Sequence, residues 1–408
     1  MGNPIAGKNI VLGVTGSIAA YKSADLASRL TKIQANVDVV LTEAGTEFVN
    51  PITFQSVTGR KAYVEADLWG GQGHVVHISL ARKADMIVVA PASANTIAKL
   101  ANGIADNLLT VTVLAATCKI IIAPAMDAGM FANASTQENV QKLEKLGFEI
   151  IGPGEGRLAS GLIGKGRMEE PEIIENFIRY RFSRGNPLQG KKIVVTAGGT
   201  QEAIDPVRIL TNYSSGKQGF ALAQAALDAG AEVTLITGPT HLLSPTGCRT
   251  VRVKSASDMQ AAVLGEITDA DALIMAAAVA DFRPKEESAS KIKKSNGQEK
   301  IELVRTRDIL KDVAAYKKEN KKDLKVVGFA AESNDLKENA RVKMQDKKMD
   351  MIVANDISDP EAGFGVDTNK VLLMYSDGSV EDLPSMPKYE VAEKVIQHLQ
   401  SWLTEGTR

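Results

Sequence analysis

Two stretches of this chain share one layout, and together they constrain the fold more than any other feature. Residues 7–16 read GKNIVLGVTG and residues 190–199 read GKKIVVTAGG, so in each an apolar run of strand length leads into a glycine-containing turn. A turn of this kind before a helix presents backbone N–H groups and the positive helix end, which together suit a phosphate group. The repeat therefore predicts two nucleotide-binding α/β domains in series.

The length of 408 residues agrees with two domains, and 44% hydrophobic and 24% charged residues are ordinary proportions for a globular protein. A formal net charge of −1 offers no electrostatic footprint for nucleic acid, so no nucleic-acid partner is expected. Cys118 and Cys248 lie far apart without metal-ligand spacing, which favours a reducing compartment. The sequence shows neither a signal peptide nor an apolar stretch of membrane-spanning length, and we expect a soluble, cytoplasmic protein without a membrane partner.

Apolar runs of strand length alternate with helix-period segments in the first half, which is the pattern of a parallel sheet with crossover helices. Predicted strands lie at residues 9–14, 37–41, 86–90, 119–123 and 148–151. Predicted helices lie at residues 19–30 and 136–146. They predict a doubly wound, flavodoxin-like α/β domain with five or six strands. Turn formers gather over residues 181–190, so the domains are predicted to cover residues 1–189 and 190–408.

The second half repeats the alternation but ends differently. Predicted strands lie at residues 232–237, 272–277, 325–329 and 351–354. A hairpin around the Asp-Gly turn at residues 377–378 adds an antiparallel edge, and a helix over residues 389–402 closes the chain. We therefore predict a second doubly wound, Rossmann-like domain with a mixed sheet. Residues 283–299 are charged with little periodicity, so we predict a mobile loop there.

Three polar clusters follow predicted strands of the first domain. The turn at residues 13–18 suits a phosphate, although tight packing of strand against helix would equally require its glycines. Ser93, Asn95 and Thr96 follow the next strand, where one residue suffices to cap the helix and three suit a phosphate or flavin edge. Asp127 follows a further strand, so we expect it at the same edge of the sheet.

These clusters, with GSIAAYK at 16–22, HISL at 77–80 and PAMDAGM at 124–130, resemble the FMN-dependent cysteine decarboxylases over residues 7–180. The resemblance implies an FMN cofactor that oxidises a cysteine thiol, after which the neighbouring carboxylate leaves as carbon dioxide. It implies His77 as the base near that thiol or as its orienting partner, although a lone histidine is more often structural and His74 is a competing candidate. The implied FMN contacts are Gly16, Ser17, Ile18, Thr42, Ser93, Asn95 and Thr96.

Two positions depart from the usual pattern of that family. Asp127 stands where an asparagine normally holds the substrate carboxylate, and an ionised Asp127 would repel that group. Asp127 is therefore protonated by burial and like-charge proximity, or destabilises the bound carboxylate, or has passed its role to a neighbour. Ser160 stands where the family has a cysteine that donates a proton when the enethiol is reduced, and a hydroxyl, being the weaker acid, needs a relay. We expect decarboxylation with a slow or differently protonated reductive step.

In the second domain, residues 196–219 hold too many polar residues and glycines for a purely structural turn. The glycines let the backbone approach a phosphate, and Arg208, Ser214, Ser215 and Lys217 can bind its oxygens. This segment, with AAAVADFR at 276–283, KIKK at 291–294, GFAAES at 328–333 and AND at 354–356, resembles phosphopantothenate–cysteine ligases over residues 190–400. The resemblance implies CTP as co-substrate, an acyl-cytidylate intermediate, and Mg²⁺ that neutralises phosphate charge.

The resemblance also implies roles for individual residues of the second domain. Asn212 resembles the amide that stabilises the acyl-cytidylate, and Lys291 resembles a catalytic lysine on a lid, although a lysine run alone is more often a solvated face. Residues 308–310 match the family only partly, because Thr306 and Arg307 replace its usual Asn-Pro. The implied CTP contacts are Ala277, Asp281, Lys291, Asp308, Ile309, Phe329, Lys343 and Lys347. The metal ligands stay unassigned.

Together the two resemblances imply a bifunctional enzyme of coenzyme A biosynthesis. Its ligase half would join 4′-phosphopantothenate with cysteine, and its decarboxylase half would turn the product into 4′-phosphopantetheine. The alternative, motivated by Asp127 and Ser160, is an active ligase fused to an FMN-binding scaffold that decarboxylates poorly. The resemblances further imply a homo-oligomer, with trimers of the first domain and dimers of the second that together would build a dodecamer.

Overall fold

The computed structural model describes residues 2–69, 75–293, 300–332, 336–356 and 366–404. The chain forms two compact units, one covering Asn3–Arg179 and the other beginning at Tyr180. The change from one unit to the next falls within a helix, Pro171–Ser183, shortly before the predicted boundary after residue 189. Within the described ranges, the helices are all too short or too polar to cross a membrane.

The first unit is built on a parallel sheet. Its strands are β1 Asn9–Val14, β2 Asn36–Leu41, β3 Ala62–Tyr63, β4 Met86–Ala92, β5 Lys119–Pro124, β6 Glu149–Ile150, β7 Gly154–Arg157 and β8 Ile163–Arg167. The sheet has the order β3-β2-β1-β4-β5-β6, so the chain builds outward from β1 on one side and then returns to build outward on the other. This arrangement confirms the predicted doubly wound α/β fold, here with six described strands.

Helices fill the connections between these strands. They are α1 Ala20–Lys32, α2 Glu43–Thr46, α3 Pro51–Thr58, α4 Val76–Lys83, α5 Ala94–Asn102, α6 Leu108–Ala115, α7 Ala128–Ala132, α8 Ala134–Lys145 and α9 Pro171–Ser183, with a 3₁₀ helix at Glu65–Trp69. Strands β7 and β8 form an antiparallel hairpin outside the main sheet. The sequence did not predict this hairpin, because GEGR and IGKGR lack the apolar alternation that marks a strand.

Local sequence sets the bounds of many elements in this unit. Strand β4 is buried along its whole length, and each buried valine or isoleucine contributes about 1.5–3 kcal/mol relative to exposure. Helix α5 begins where the Ser93 side chain accepts from the Thr96 N–H. It ends at Gly103, whose φ of 68° is a left-handed conformation that favours glycine. A continuous apolar run and two capping residues therefore mark the bounds of this strand and helix in the sequence.

The second unit is built on the predicted mixed sheet, with the order β13-β12-β9-β14-β17-β18-β19-β20. Strands β18, β19 and β20 pair antiparallel and the others pair parallel, so the hairpin around the Asp-Gly turn does add an antiparallel edge. The strands of this unit are β9 Lys192–Ala197, β10 Gln201–Ala203, β11 Ile209–Thr211, β12 Glu232–Thr237, β13 Arg249–Arg252, β14 Ala272–Met275, β15 Phe282–Pro284, β16 Leu303–Arg305, β17 Lys325–Glu332, β18 Met351–Asp356, β19 Thr368–Tyr375 and β20 Val380–Pro387.

Two short antiparallel strand pairs, β10–β11 and β15–β16, stand apart from this main sheet. The helices of the unit are α10 Lys217–Asp228, α11 Ala256–Glu266, α12 Ile309–Asn320, α13 Leu336–Asp346 and α14 Lys388–Thr404. Helix α10 packs directly on β9 at Gly219, where there is no room for a side chain. A Cβ on Gly219 would lie 2.5 Å from the Cβ of Ala197, so only glycine permits this approach.

We expect Gly219→Ala to destabilise the second unit by about 1–3 kcal/mol, because the added methyl group must push α10 away from β9. Urea-induced unfolding of the full chain measures this change. Gly265→Ala is the matched control, since Gly265 also lies in a helix and its Cβ would meet nothing within 4 Å. That control should stabilise the unit by up to about 1 kcal/mol through helix propensity. Equal effects of the two substitutions would contradict the close approach.

Candidate active sites

The first candidate site lies at the carboxyl edge of the first sheet, where β1 and β4 run side by side. The chain leaves these two strands toward opposite sides of the sheet, which is where doubly wound folds bind ligands. Buried Thr15 joins the two loops, because its hydroxyl donates to the Pro91 carbonyl at 2.7 Å and accepts from the Ser93 N–H at 3.0 Å. Thr15 is not recognisable from the sequence, because its role depends on partners 76 and 78 residues away.

A cleft of about 730 Å³ opens beside these loops, within the range of about 300–1,000 Å³ that small-molecule sites have. The predicted residues that line it are Gly16, Ser17, Ile18, Ser93, Asp127 and Ser160. Lys22, Arg157 and Arg167 add positive charge to its wall. The structure therefore brings together the polar clusters that follow three different strands.

The remaining predicted FMN contacts, Thr42, Asn95 and Thr96, do not line this cleft in the described structure. Thr42 caps α2 by accepting from the Gly45 N–H at 3.1 Å. The Ser93 hydroxyl caps α5 by accepting from the Thr96 N–H at 3.3 Å and lies 3.2 Å from the Thr96 hydroxyl. Part of the polar cluster thus serves helix capping, and flavin contact by Thr42, Asn95 and Thr96 stays a prediction.

Gly16 agrees with both explanations of the turn at residues 13–18, which are phosphate binding and tight packing of strand against helix. A Cβ on this residue would lie 2.6 Å from the Cβ of Ala44, so packing against α2 requires glycine. The N-terminus of α1 follows directly, and Ser17, Ile18 and Tyr21 line the cleft. Packing therefore explains the glycine, while the position of the helix end remains suited to a phosphate.

Asp127 and Ser160, the two departures from the family pattern, form a hydrogen bond with each other. The Ser160 hydroxyl donates to Asp127 Oδ2 at 2.6 Å, and Asp127 Oδ1 accepts from the Gly129 N–H at 3.0 Å at the start of α7. These bonds hold the pKa of Asp127 below its usual value, with Ser160 as the larger cause. The lowered pKa favours an ionised Asp127, and the three alternatives for its role, including protonation by burial and like-charge proximity, stay predictions.

His77 is the second residue of α4, and its Nδ1 is buried without a hydrogen-bond partner among the described residues. Leaving such a nitrogen unsatisfied costs about 1–3 kcal/mol, which favours satisfaction by a bound group. His77 does not line the cleft in the described structure, and the competing His74 lies outside the described residues. Its predicted role near the substrate thiol stays a prediction.

Two of the cations in the first cleft share one carboxylate within the fold. Lys22 is buried, and its Nζ donates to the Glu170 carboxylate at 2.9 Å and to the Met168 carbonyl at 3.0 Å. Arg167 pairs with the same carboxylate at 2.9 Å. Lys22 and, to a smaller extent, Arg167 lower the pKa of Glu170. Arg157 has no ion pair in the described part of the chain, so its charge is available to a ligand.

The second candidate site lies at the corresponding edge of the second sheet, where β9 and β14 are neighbours. The Thr196 hydroxyl at the end of β9 accepts from the Ala277 N–H at 3.1 Å, which holds the loop that follows β14. The Asn212 amide donates to the Val279 carbonyl of that loop at 3.2 Å. Residues 196–219 therefore position the loop over residues 276–281, and the two sequence motifs form one structure.

A cleft of about 570 Å³ lies beside this loop, at the ends of β14, β17 and α12. The predicted residues that line it are Ala277, Asp281, Asp308, Ile309, Phe329 and Lys347. Arg305, Arg307 and Lys311 also line it and were not predicted as site residues. With Lys347 they supply four cationic groups against the two carboxylates, so the cleft favours an anionic ligand.

Ion pairs occupy only part of this positive charge. Lys347 pairs with Asp308 at 3.1 Å, and Lys311 pairs with Asp346 at 2.9 Å. Within the described residues, neither Arg305 nor Arg307 takes part in an ion pair. Because arginine binds phosphate oxygens through a planar pair of N–H donors, these two side chains are suited to a phosphate-bearing ligand.

Lys291 and Lys343, predicted to contact CTP, do not line the cleft in the described structure. Ile292, next to Lys291, donates its N–H to the buried Asp205 carboxylate at 3.2 Å, and its carbonyl accepts from Arg208 at 3.2 Å. The predicted mobile loop is therefore hydrogen-bonded to the turn between β10 and β11 at this point. Residues 294–299 of that prediction lie outside the described residues.

Comparisons with known proteins match both units. Residues 2–183 match the family model described as Flavoprotein, and residues 188–403 match the DNA/pantothenate metabolism flavoprotein C-terminal domain. The coenzyme A biosynthesis bifunctional protein CoaBC of Bacillus subtilis (strain 168) is 46% identical, over 96% of each chain. Its namesake from Escherichia coli (strain K12) is 42% identical over 99% of each chain. A solved C-terminal domain of a CoaBC protein covers 54% of this chain and 100% of its own at 42% identity, with a TM-score of 0.46.

The fold and the matches define a class of protein in which a flavoprotein domain precedes a DNA/pantothenate metabolism flavoprotein C-terminal domain. This chain belongs to the family of coenzyme A biosynthesis bifunctional proteins. It is a bifunctional enzyme with a flavoprotein decarboxylase domain and a ligase domain, which confirms the function that the two resemblances implied.

We expect Ser160→Ala to raise the pKa of Asp127 toward the ordinary value of about 3.9, because the substitution removes the main donor to its carboxylate. The Ser160 bond contributes stability above the unfolded-state pKa and loses it as the pH falls through the lower folded-state pKa. An NMR titration of the Asp127 carboxyl carbon measures the change. Ser135→Ala, at an exposed position in α8, is the control. An unchanged midpoint would show that Gly129 alone lowers the pKa.

Proposed function

We propose that the second domain joins 4′-phosphopantothenate to cysteine with CTP as co-substrate. The observation that carries this proposal is the cationic cleft in which Arg305 and Arg307 have no ion pair among the described residues. A triphosphate brings several negative charges, which these guanidinium groups can bind in pairs of hydrogen bonds. Asp281 and Phe329, in the same cleft, are proposed to contact the base or ribose. The proposal therefore assigns different side chains of the cleft to the two ends of a nucleotide.

The proposed reaction has two steps. The carboxylate of 4′-phosphopantothenate attacks the α-phosphate of CTP and releases pyrophosphate, and the cysteine amine then displaces CMP from the acyl-cytidylate. Lys291, Lys343 and Lys347 are proposed to offset negative charge on the phosphate oxygens. Asn212, which already holds the loop after β14, is proposed to stabilise the acyl-cytidylate. The described residues contain no group of three acidic, histidine or cysteine ligands, so Mg²⁺ would arrive on the phosphates of CTP.

We expect Arg307→Ala to raise the KM for CTP roughly tenfold, because a charge-assisted hydrogen bond contributes about 1.5–3 kcal/mol. Arg307 has no ion pair in the described structure, so its removal leaves no carboxylate uncompensated there. Pyrophosphate release with 4′-phosphopantothenate, cysteine and CTP measures the effect, and Lys291→Ala should abolish this release. Arg252→Ala, at the exposed end of β13, is the matched control. Equal turnover with ATP would contradict the assignment of CTP.

For the first domain we propose that FMN binds in the cleft beside β1 and β4. The flavoprotein family match over residues 2–183 and the size of the cleft support this assignment. The backbone of residues 16–18 and the N-terminus of α1 would hold the phosphate of the cofactor. Bound FMN supplies the oxidation of the substrate thiol that makes loss of carbon dioxide feasible.

The residues of the chain then act on the substrate, 4′-phosphopantothenoylcysteine. His77 is proposed to accept the thiol proton, because its buried Nδ1 has no partner among the described residues. The free charge of Arg157 favours the alternative in which a neighbour of Asp127 holds the substrate carboxylate. Proton donation by Ser160 would leave an alkoxide beside the ionised Asp127, and this repulsion supports a slow reductive step.

We expect the purified protein to be yellow from bound FMN and to form 4′-phosphopantetheine from 4′-phosphopantothenate, cysteine and CTP. Mass spectrometry of the products tests this, and the unreduced enethiol should accumulate first because reduction is slow. Absence of both products would contradict decarboxylation. The paired substitution Asp127→Asn with Ser160→Cys tests the scaffold alternative, which a large gain in activity would support. Sedimentation of the same sample tests the proposed homo-oligomer, which a monomer would contradict.

A further inference from the structure

The β7–β8 hairpin is fixed to the first domain at its base. The Gly166 carbonyl of β8 accepts from the Met126 N–H at 3.0 Å. Added Cβ atoms on Gly164 and Gly166 would lie 2.8 Å from the Ala128 Cβ and 2.4 Å from the Met126 carbonyl oxygen, respectively. The glycines therefore let β8 lie directly on the backbone that leads into α7.

The tip of this hairpin, residues 158–162, is held differently. Its internal hydrogen bonds join the Leu158 N–H to the Leu162 carbonyl at 2.8 Å and the Gly161 N–H to the Leu158 carbonyl at 2.9 Å. The Ser160–Asp127 bond is the only hydrogen bond that joins the tip to the rest of the domain in the described part of the chain. Leu158, Ala159 and Ser160 line the cleft, so the position of the tip decides how far that side is closed.

Both oxygens of the Asp127 carboxylate are engaged within the protein. Oδ1 accepts from Gly129 and Oδ2 accepts from Ser160. A hydroxyl that donates to a carboxylate makes a stronger bond than one between neutral groups. Asp127 can therefore hold the tip while it caps α7.

We propose that Asp127 and Ser160 form a single latch, in which the Asp127 carboxylate is a positioning group that holds the hairpin tip against α7 and closes one side of the cleft. The inference rests on the proposed function, because the cleft it closes is the proposed FMN and substrate site. The latch explains both departures from the family pattern, Asp127 and Ser160, by the one hydrogen bond between them. Each residue then depends on the other, and a substitution at either position opens the same side of the cleft.

Trypsin cleavage of the full, FMN-loaded chain after Arg157 and Lys165, which flank the tip, tests the latch without substrate. Ser160→Ala should raise the cleavage rate roughly three- to tenfold, as expected for loss of one charge-assisted bond. Asp127→Ala should do the same, and the double variant should be no faster than the more rapidly cleaved single variant. Ser160→Thr, which keeps the hydroxyl, should restore slow cleavage. Ser56→Ala, which removes an exposed hydroxyl from α3, is the matched control.

Activity supplies the second readout. Ser160→Ala should raise the KM for 4′-phosphopantothenoylcysteine more than it lowers kcat, because the variant encloses the substrate less well. A lower kcat with unchanged cleavage would assign Ser160 to proton transfer alone and overturn the latch, as would unchanged cleavage in both single variants or effects that add in the double variant. If the parent protein does not decarboxylate, the proposed function fails while the cleavage rates still decide the latch.

Discussion

Both halves of this protein depend on the pairing of buried parallel strands. In the first sheet Leu12 of β1 lies opposite Val88 of β4, both are fully buried, and neither strand has a polar side chain in its interior. Polar groups can therefore appear only where the strands end, and parallel strands end at one edge. The same constraint acts on β9 and β14 in the second sheet. In each domain the polar groups therefore lie together at one edge of the sheet, whichever of them takes part in the reaction.

The two clefts differ in how many of their cationic side chains are paired with carboxylates. In the first, Lys22 and Arg167 share the Glu170 carboxylate, and Arg157 is the cation left without an ion pair in the described structure. In the second, Lys347 and Lys311 are paired while Arg305 and Arg307 keep their charge. The second cleft therefore offers two guanidinium groups without an ion pair in the described structure, where the first offers one.

The hydrogen bond between Asp127 and Ser160 changes how the role of each residue is interpreted. Taken singly, each weakens the case for decarboxylation, because a carboxylate repels the substrate and a serine is a poor acid. Their hydrogen bond shows a local structure in which the charge of Asp127 is used inside the protein. In the proposed latch, neither residue is required to do the task of the family residue that it replaces. The residues that do so must be sought among neighbours such as Arg157 and His77.

The sequence by itself determined the elements that local physics controls. Continuous apolar runs marked β1, β4 and β12, the Asp-Gly turn marked the antiparallel edge, and extended family motifs marked both activities. Only the tertiary structure decided which polar residues meet. Ser160 lies 33 residues from Asp127, and Thr15 lies 76 from Pro91, so no periodicity or local propensity relates them. The β7–β8 hairpin likewise escaped prediction, because its glycines are explained by close contact with residues 126–128 and not by their neighbours in the chain.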